Sequence, residues 1–160
     1  MSASIPADPR PRHTGSADAL HRVGIDIVDV RDVRSALFAY GDRYLRRVFT
    51  VDEVQDCSDH DGIAAERLAA RFAAKEAVLK VLRPADTPVP WRTIETVRAP
   101  GGWVDVRLTG NAARLAEAAG LGELCLSITH ERDLAAATVL ASFQDPDIER
   151  PPCTTPSAPS

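Results

Sequence analysis

The stretch from Asp61 to Arg83 constrains this chain more than any other. It is rich in Ala and Leu, holds no proline, and is followed at once by Pro84. Proline lacks an amide donor and clashes with the preceding turn, so the pattern predicts one long helix that stops before residue 84. At about 100° per residue, Leu68, Phe72, Leu79 and Leu82 fall in one apolar stripe, which must be buried against a partner surface. Lys75 lies within that stripe, Glu76 and Lys80 adjoin it four residues apart, and Arg71 lies on the opposite flank.

Two other regions supply the partner surface. Val23–Val30 (VGIDIVDV) reads as a strand with apolar residues on both faces, which predicts a central strand. Glu123–His130 and Leu134–Phe143 read as a hairpin, as do Thr93–Arg98 and Trp103–Leu108 across Pro100-Gly101-Gly102. Residues 31–40 form a short helix, Thr50–Glu53 has the spacing of a capping box, and Asn111–Ala119 is a helix with Gly120 after it. Strands and helices do not alternate regularly, so the fold class is α+β, an antiparallel sheet packed against one long helix and shorter ones. Residues 1–20 and 145–160 are rich in Pro, Ser and Ala and lack a hydrophobic period. They read as disordered tails around a domain at 21–144.

Composition narrows the function classes. A net charge of −4 over 160 residues argues against a general nucleic-acid binder. The longest apolar run, Leu134–Ala141, is far below the roughly 20 residues that span a bilayer. The N-terminal MSASIPADPRPRHTG has no apolar core and does not read as a secretory signal. Cys57, Cys125 and Cys153 form no metal or disulfide pattern, which predicts free thiols in a reducing cytoplasm.

Of 19 basic residues, 17 are arginine; the two lysines are Lys75 and Lys80, on the long helix. A chain that uses arginine elsewhere and keeps two compact ammonium groups in one segment points to chemistry there. Asp26 shares a strand face with Gly24 and Val28. Its spacing leaves open a carboxylate that caps a turn or pairs with arginine, and one that binds a cation. Asp29, near the strand end, reads as solvated. Glu76 and Lys80 have the i,i+4 spacing that simply supports a helix, and Lys75 has a stem long enough to snorkel. Likewise His130, closing the apolar face of Leu124, Leu126 and Ile128, reads either as a satisfied structural group or as a ligand. Between Arg31 and Arg47 five arginines stand against Asp32 and Asp42, either a solvated face or a docking surface for an acidic partner.

Taken together, three segments resemble the 4′-phosphopantetheinyl transferases of the holo-acyl-carrier-protein synthase type. They are Gly24-Ile25-Asp26-Ile27-Val28-Asp29, then Arg71-Phe72-Ala73-Ala74-Lys75-Glu76-Ala77-Val78-Leu79-Lys80, then Ser127-Ile128-Thr129-His130-Glu131. The ten-residue helix motif has every fixed position filled. Arg43-Tyr44 with Arg47, Phe49, Thr50 and Glu53 resembles the family's basic arm and the helix after it. Ala135–Val139 resembles its alanine-rich last strand. The agreement covers residues 22–141.

The resemblance implies transfer of phosphopantetheine from coenzyme A to a carrier-protein serine, with release of 3′,5′-ADP. It implies Asp26 and Glu76 as Mg²⁺ ligands and as catalytic residues together with Lys80, which faces the pyrophosphate. Arg71, Lys75, Thr129 and His130 become coenzyme-binding positions. The serine proton goes to a metal-bound water or to Glu76. Arg31, Arg34, Arg43 and Arg47 become docking residues for an acidic helical carrier, and a homotrimer is expected, with His130 supplied by the neighbouring subunit. The other readings are a carrier-binding scaffold without activity and a hydrolase of nucleotide pyrophosphates. Three departures stand out: Asp29 for the usual Glu, Asp32 for an Arg often found there, and Val81–Asp86 for a Gly-rich loop, where Arg83 offers a compensating charge.

Overall fold

The computed structural model describes residues 21–60 and 62–143. The expected tails lie outside the described residues. In chain order come β1 (His21–Asp29), α1 (Val30–Tyr40), α2 (Asp42–Val48), α3 (Val51–Asp56), β2 (Ser58–Asp59), β3 (Gly62–Ile63) and α4 (Ala65–Leu82). A 3-10 turn at Trp91–Thr93 leads into β4 (Ile94–Arg98), β5 (Val104–Leu108), α5 (Gly110–Ala118), β6 (Leu121–Glu131) and β7 (Leu134–Phe143).

Both expected hairpins form, and β7 closes a three-stranded antiparallel sheet in the order β1-β7-β6. The middle strand is therefore β7, and the expectation of a central β1 is corrected. Its apolar residues do occupy both faces, but Val23, Ile25 and Ile27 are more than half exposed on the face turned away from α4. The two-faced pattern signals an uncovered apolar surface in the single chain, not burial between neighbouring strands.

On the other face α4 lies close against the sheet because both surfaces are small. Ala135, Ala137, Val139 and Ala141 of β7 are buried, as are Ala69, Ala73, Ala77 and Val78 of α4. The approach is tightest at Gly24, where a Cβ would stand 2.0 Å from the carbonyl oxygen of Ala77. Only glycine lets β1 come this near the helix backbone.

Local chemistry sets the element boundaries. Residues 58–59 pair with 62–63, and Gly62 takes φ +110, so α4 starts at Ala65 instead of residue 61. Its end falls as expected: Arg83 takes the left-handed conformation at φ 52 before Pro84. Thr50 forms the full capping box with Glu53. Asp29 is the N-cap of α1, accepting the amide of Arg31 at 2.8 Å.

Candidate active site

β1 and α4 run past each other so that Asp26, Glu76 and Lys80 meet. Gly24, Asp26 and Val28 turn toward the helix, as the strand period requires. Lys80 Nζ donates to Asp26 Oδ1 at 2.9 Å and to the Ile25 carbonyl at 2.6 Å. One turn earlier, Glu76 shares a cleft with Asp26; α1 adds Asp32 and Ala36, α2 adds Tyr44, and α4 adds Phe72. Partial burial and the nearby Asp26 charge hold the Glu76 carboxyl above its ordinary range, with Lys80 opposing. Burial pushes the Tyr44 phenol up to about 12, so it remains a neutral hydroxyl beside these acids. Sequence reasoning placed Tyr44 in a motif but gave it no place in the cleft; its position between Arg43 and Arg47, one face over on the same helix, was the available signal.

The carboxylates of Asp26 and Glu76, near enough for one charge to shift the other, are hard oxygen donors. They suit a divalent ion that keeps water and takes phosphate oxygens, and they are too few for an all-protein cage. Among the described residues no group of three or more His, Cys, Asp and Glu side chains could hold a metal. The set therefore fits an ion completed by substrate.

The two basic residues earlier on α4, expected at the coenzyme, make their contacts within the chain. Lys75 is wholly buried. Its ammonium meets Glu53 Oε2 at 2.9 Å, the Trp91 carbonyl at 3.2 Å and the Ile94 carbonyl, so its three donors are all taken. Glu53 is as deeply buried and also accepts the Thr50 amide at 2.8 Å, the Thr96 amide at 2.9 Å and the Thr96 hydroxyl at 2.7 Å. This network pins α4 to α3 and β4. Burial drives the Lys75 ammonium below the ordinary lysine range while Glu53 pulls it back. Arg71, 3% exposed, gives Nε to Cys57 Sγ and Nη2 to Asp56 Oδ2, both at 3.0 Å. It fastens the end of α3 to α4.

Thr129 and His130 lie on β6, two strands from β1 and therefore about 10 Å away across the sheet. In one chain they do not join Asp26. Thr129 pairs in register with Ala136, which pairs with Ile27, so it belongs to the uncovered apolar face; His130 is exposed near the hairpin end.

The four docking arginines also separate. Arg31 grips Asp29 through Nε at 3.0 Å and Nη2 at 2.5 Å. Asp29 is thus paired, not simply solvated as expected, and its carboxyl is held near 2 by those bonds. Aspartate fits here because its short side chain caps the helix while accepting the guanidinium. Arg34 faces the other flank of α1, 3.8 Å from Glu66 and 4.0 Å from Asp133, which turns it away from the cleft. Arg43 and Arg47 are exposed on α2, and neither pairs with a carboxylate among the described residues. No helix among these residues is long and apolar enough to cross a membrane.

The family model of the 4′-phosphopantetheinyl transferase superfamily matches residues 22–139, and the chain belongs to that superfamily. Within it the chain is similar to the holo-[acyl-carrier-protein] synthase of Desulforudis audaxviator, 44% identical over 119 residues that make up 74% of this chain and 90% of the relative. The acyl carrier protein synthase structure of Mycobacterium tuberculosis is 38% identical with a TM-score of 0.60, over 76% of this chain and 96% of that one. A coenzyme A complex of the synthase from Chronobacterium ammoniagenes is 31% identical with a TM-score of 0.66, over 79% and 99%.

Proposed function

We propose that the cleft between β1, α1 and α4 moves 4′-phosphopantetheine from coenzyme A to a serine hydroxyl of an apo acyl carrier protein, with 3′,5′-ADP as the leaving group. One observation carries the reading: Asp26, Glu76 and Lys80 converge from two elements on the edge of one cleft. The serine oxygen forms a bond to the pantetheine-side phosphorus, and the bond from that phosphorus to the bridging oxygen of ADP breaks. Lys80, half exposed, is within reach to neutralise or protonate the departing phosphate. Glu76, held above the usual carboxylate range, is the group of this chain that can receive the serine proton. Asp26 and Glu76 would hold Mg²⁺, which supplies charge neutralisation at the pyrophosphate.

Two surfaces support the rest of the reading. Arg43 and Arg47 stand on the helix that lends Tyr44 to the cleft, which suits docking of an acidic carrier. Val23, Ile25, Ile27, Leu134 and Leu140 leave an exposed apolar sheet face, suited to self-association as a homotrimer. Such an assembly brings a neighbour's Thr129 and His130 toward the coenzyme, where Arg83 adds positive charge. The cytoplasmic setting inferred from the scattered thiols belongs to the same proposal.

The test is to incubate the protein with coenzyme A, Mg²⁺ and an apo carrier protein and to weigh the carrier. A gain of one phosphopantetheine is expected. Glu76→Gln should fold as the parent does by circular dichroism, yet transfer more slowly by about 10²-fold or more. Carrier binding without mass gain identifies a scaffold, and coenzyme A cleavage without carrier identifies a hydrolase. The same preparation should sediment with the mass of three chains; a single-chain mass defeats the shared site.

A further inference from the structure

Three residues on one face of β1 meet the second half of α4 in turn. Gly24 sets how near the strand lies to the helix, and Asp26 meets Lys80. Before them stands Arg22, whose Nη1 donates to the Val81 carbonyl at 3.1 Å. That carbonyl belongs to the last turn of α4, beyond which the chain leaves the helix, so no amide of the helix takes it. A cation at this end also answers the partial negative charge of the helix C-terminus. The guanidinium carbon lies over the ring of Phe143, the last residue of β7, 5.1 Å from its centre. Arg22 pairs with no carboxylate among the described residues, which leaves the helix end and the ring as its partners.

From this ladder we propose that Arg22 is a positioning residue for transfer: by tying β1 to the last turn of α4 it fixes where that turn stands along the strand, and with it the aim of Lys80. The inference rests on the transferase reading above and adds a residue to that same site. Lys80 is carried by the last turn, and its ammonium reaches β1 at the Ile25 carbonyl and at Asp26. The Lys80 side chain is half exposed, so its ion pair contributes little to holding strand and helix together. Packing of Gly24 on Ala77 and Val81 draws the two elements close, but apolar attraction is non-directional. Between surfaces of small residues it settles only loosely how far one element slides along the other. The bond from Arg22 to Val81 is directional and sits at the helix end, outside the cleft lining. It holds Lys80 opposite Asp26 from a distance.

Two variants separate the donor from the packing: Arg22→Met keeps a stem over Phe143 and loses the donor, and Arg22→Lys keeps a donor. The aim of Lys80 is read without substrate, from the rate at which formaldehyde and a borohydride methylate its amine, followed by carbon NMR. The only other lysine, Lys75, is wholly buried with its donors taken, so the Lys80 signal stands apart. Arg22→Met should raise the Lys80 rate by about two- to fivefold, the range that an exposed ion pair withholds. It should also lower kcat for transfer by about tenfold or more, with KM for coenzyme A and for carrier unchanged. Arg22→Lys should bring both readouts back to near the parent values. In a Lys80→Met background, Arg22→Met should slow transfer no further. A parent protein that transfers no phosphopantetheine defeats the reading of the site, and the positioning role falls with it. With transfer present, three results overturn the inference alone: unchanged Lys80 reactivity in Arg22→Met, equal slowing by Arg22→Met in both backgrounds, or a lower denaturant midpoint with unchanged kcat. Arg22 would then only close the helix end.

Discussion

Lys75 and Lys80 are the only lysines of the chain, stand five residues apart on one helix, and do opposite things. Lys75 is wholly buried, with its salt-bridge partner Glu53 equally so; Lys80 has a half-exposed side chain, and its partner Asp26 lines a cleft. The first pair is surrounded by backbone groups that also need it: the carbonyls of Trp91 and Ile94 and the amides of Thr50 and Thr96. The second pair faces solvent on one side. A buried ion pair is costly to break, whereas an exposed one contributes about 0–1 kcal/mol. Lys75 thus fastens the helix from within, while Lys80 and Glu76 stand beside Asp26 at the cleft.

Removing Lys75 gives the largest effect expected from this contrast. Lys75→Met leaves the Glu53 carboxylate buried without its cation and should destabilise the fold by about 3–5 kcal/mol, read from denaturant midpoints. Lys80→Met should change stability by less than about 1 kcal/mol. Equal losses in the two variants would erase the division between a structural and a working lysine.

How much of this was legible in the sequence depends on how far away each residue's partner lies. The capping box of Thr50 and Glu53, the stop before Pro84 and both hairpins are written in neighbouring residues, and they form as expected. Asp26, Glu76 and Lys80 were legible only as a pattern of three segments, because their meeting requires β1 to pass α4 at the right height. Lys75 was not legible: its place in an apolar stripe fits snorkelling, coenzyme binding or a buried pair equally, and Glu53 lies 22 residues earlier. The contacts of Arg71 were hidden for the same reason, its partners Asp56 and Cys57 being 15 and 14 residues away. The edge position of β1 was hidden because an uncovered apolar face and a covered one have the same pattern.

A smaller effect should come from the contact that sets the height of β1 on α4. Gly24→Ala would put a methyl 2.0 Å from the Ala77 carbonyl oxygen, which belongs to backbone and cannot swing aside. Overpacking of this kind costs about 1–3 kcal/mol. The strand must lift, and the residues it carries toward Lys80 and Glu76 lift with it, while the Lys75 network reaches α3 and β4 instead. Transfer should fall by up to about 10²-fold because the reacting groups are misplaced. Paired measurements of denaturant midpoint and transfer rate check this. A stability loss with a wild-type rate would show that the cleft tolerates movement of β1.

The smallest effect lies in protonation and separates the two sides of the helix by pH. Glu76 is raised above 4.5 first by burial and then by the Asp26 charge. The folded chain therefore binds a proton there more tightly than the unfolded chain. Its contribution to stability is present below about 4.5, the unfolded value, and is lost as pH rises through the raised folded value. Asp26→Asn removes the second cause and leaves the first, and it also frees Lys80, whose charge favours the ionised carboxyl. The Glu76 pKa should move down toward 4.5 without passing far below it, as followed by carbon NMR of the side-chain carboxyl, and the fall in stability across that pH window should flatten. Lys75, linked to Glu53 on the far side of the helix, should keep its low solvent reactivity in the same variant. An unchanged Glu76 titration in Asp26→Asn would mean that the two carboxylates do not sense one another, and a jointly held cation would lose its electrostatic basis.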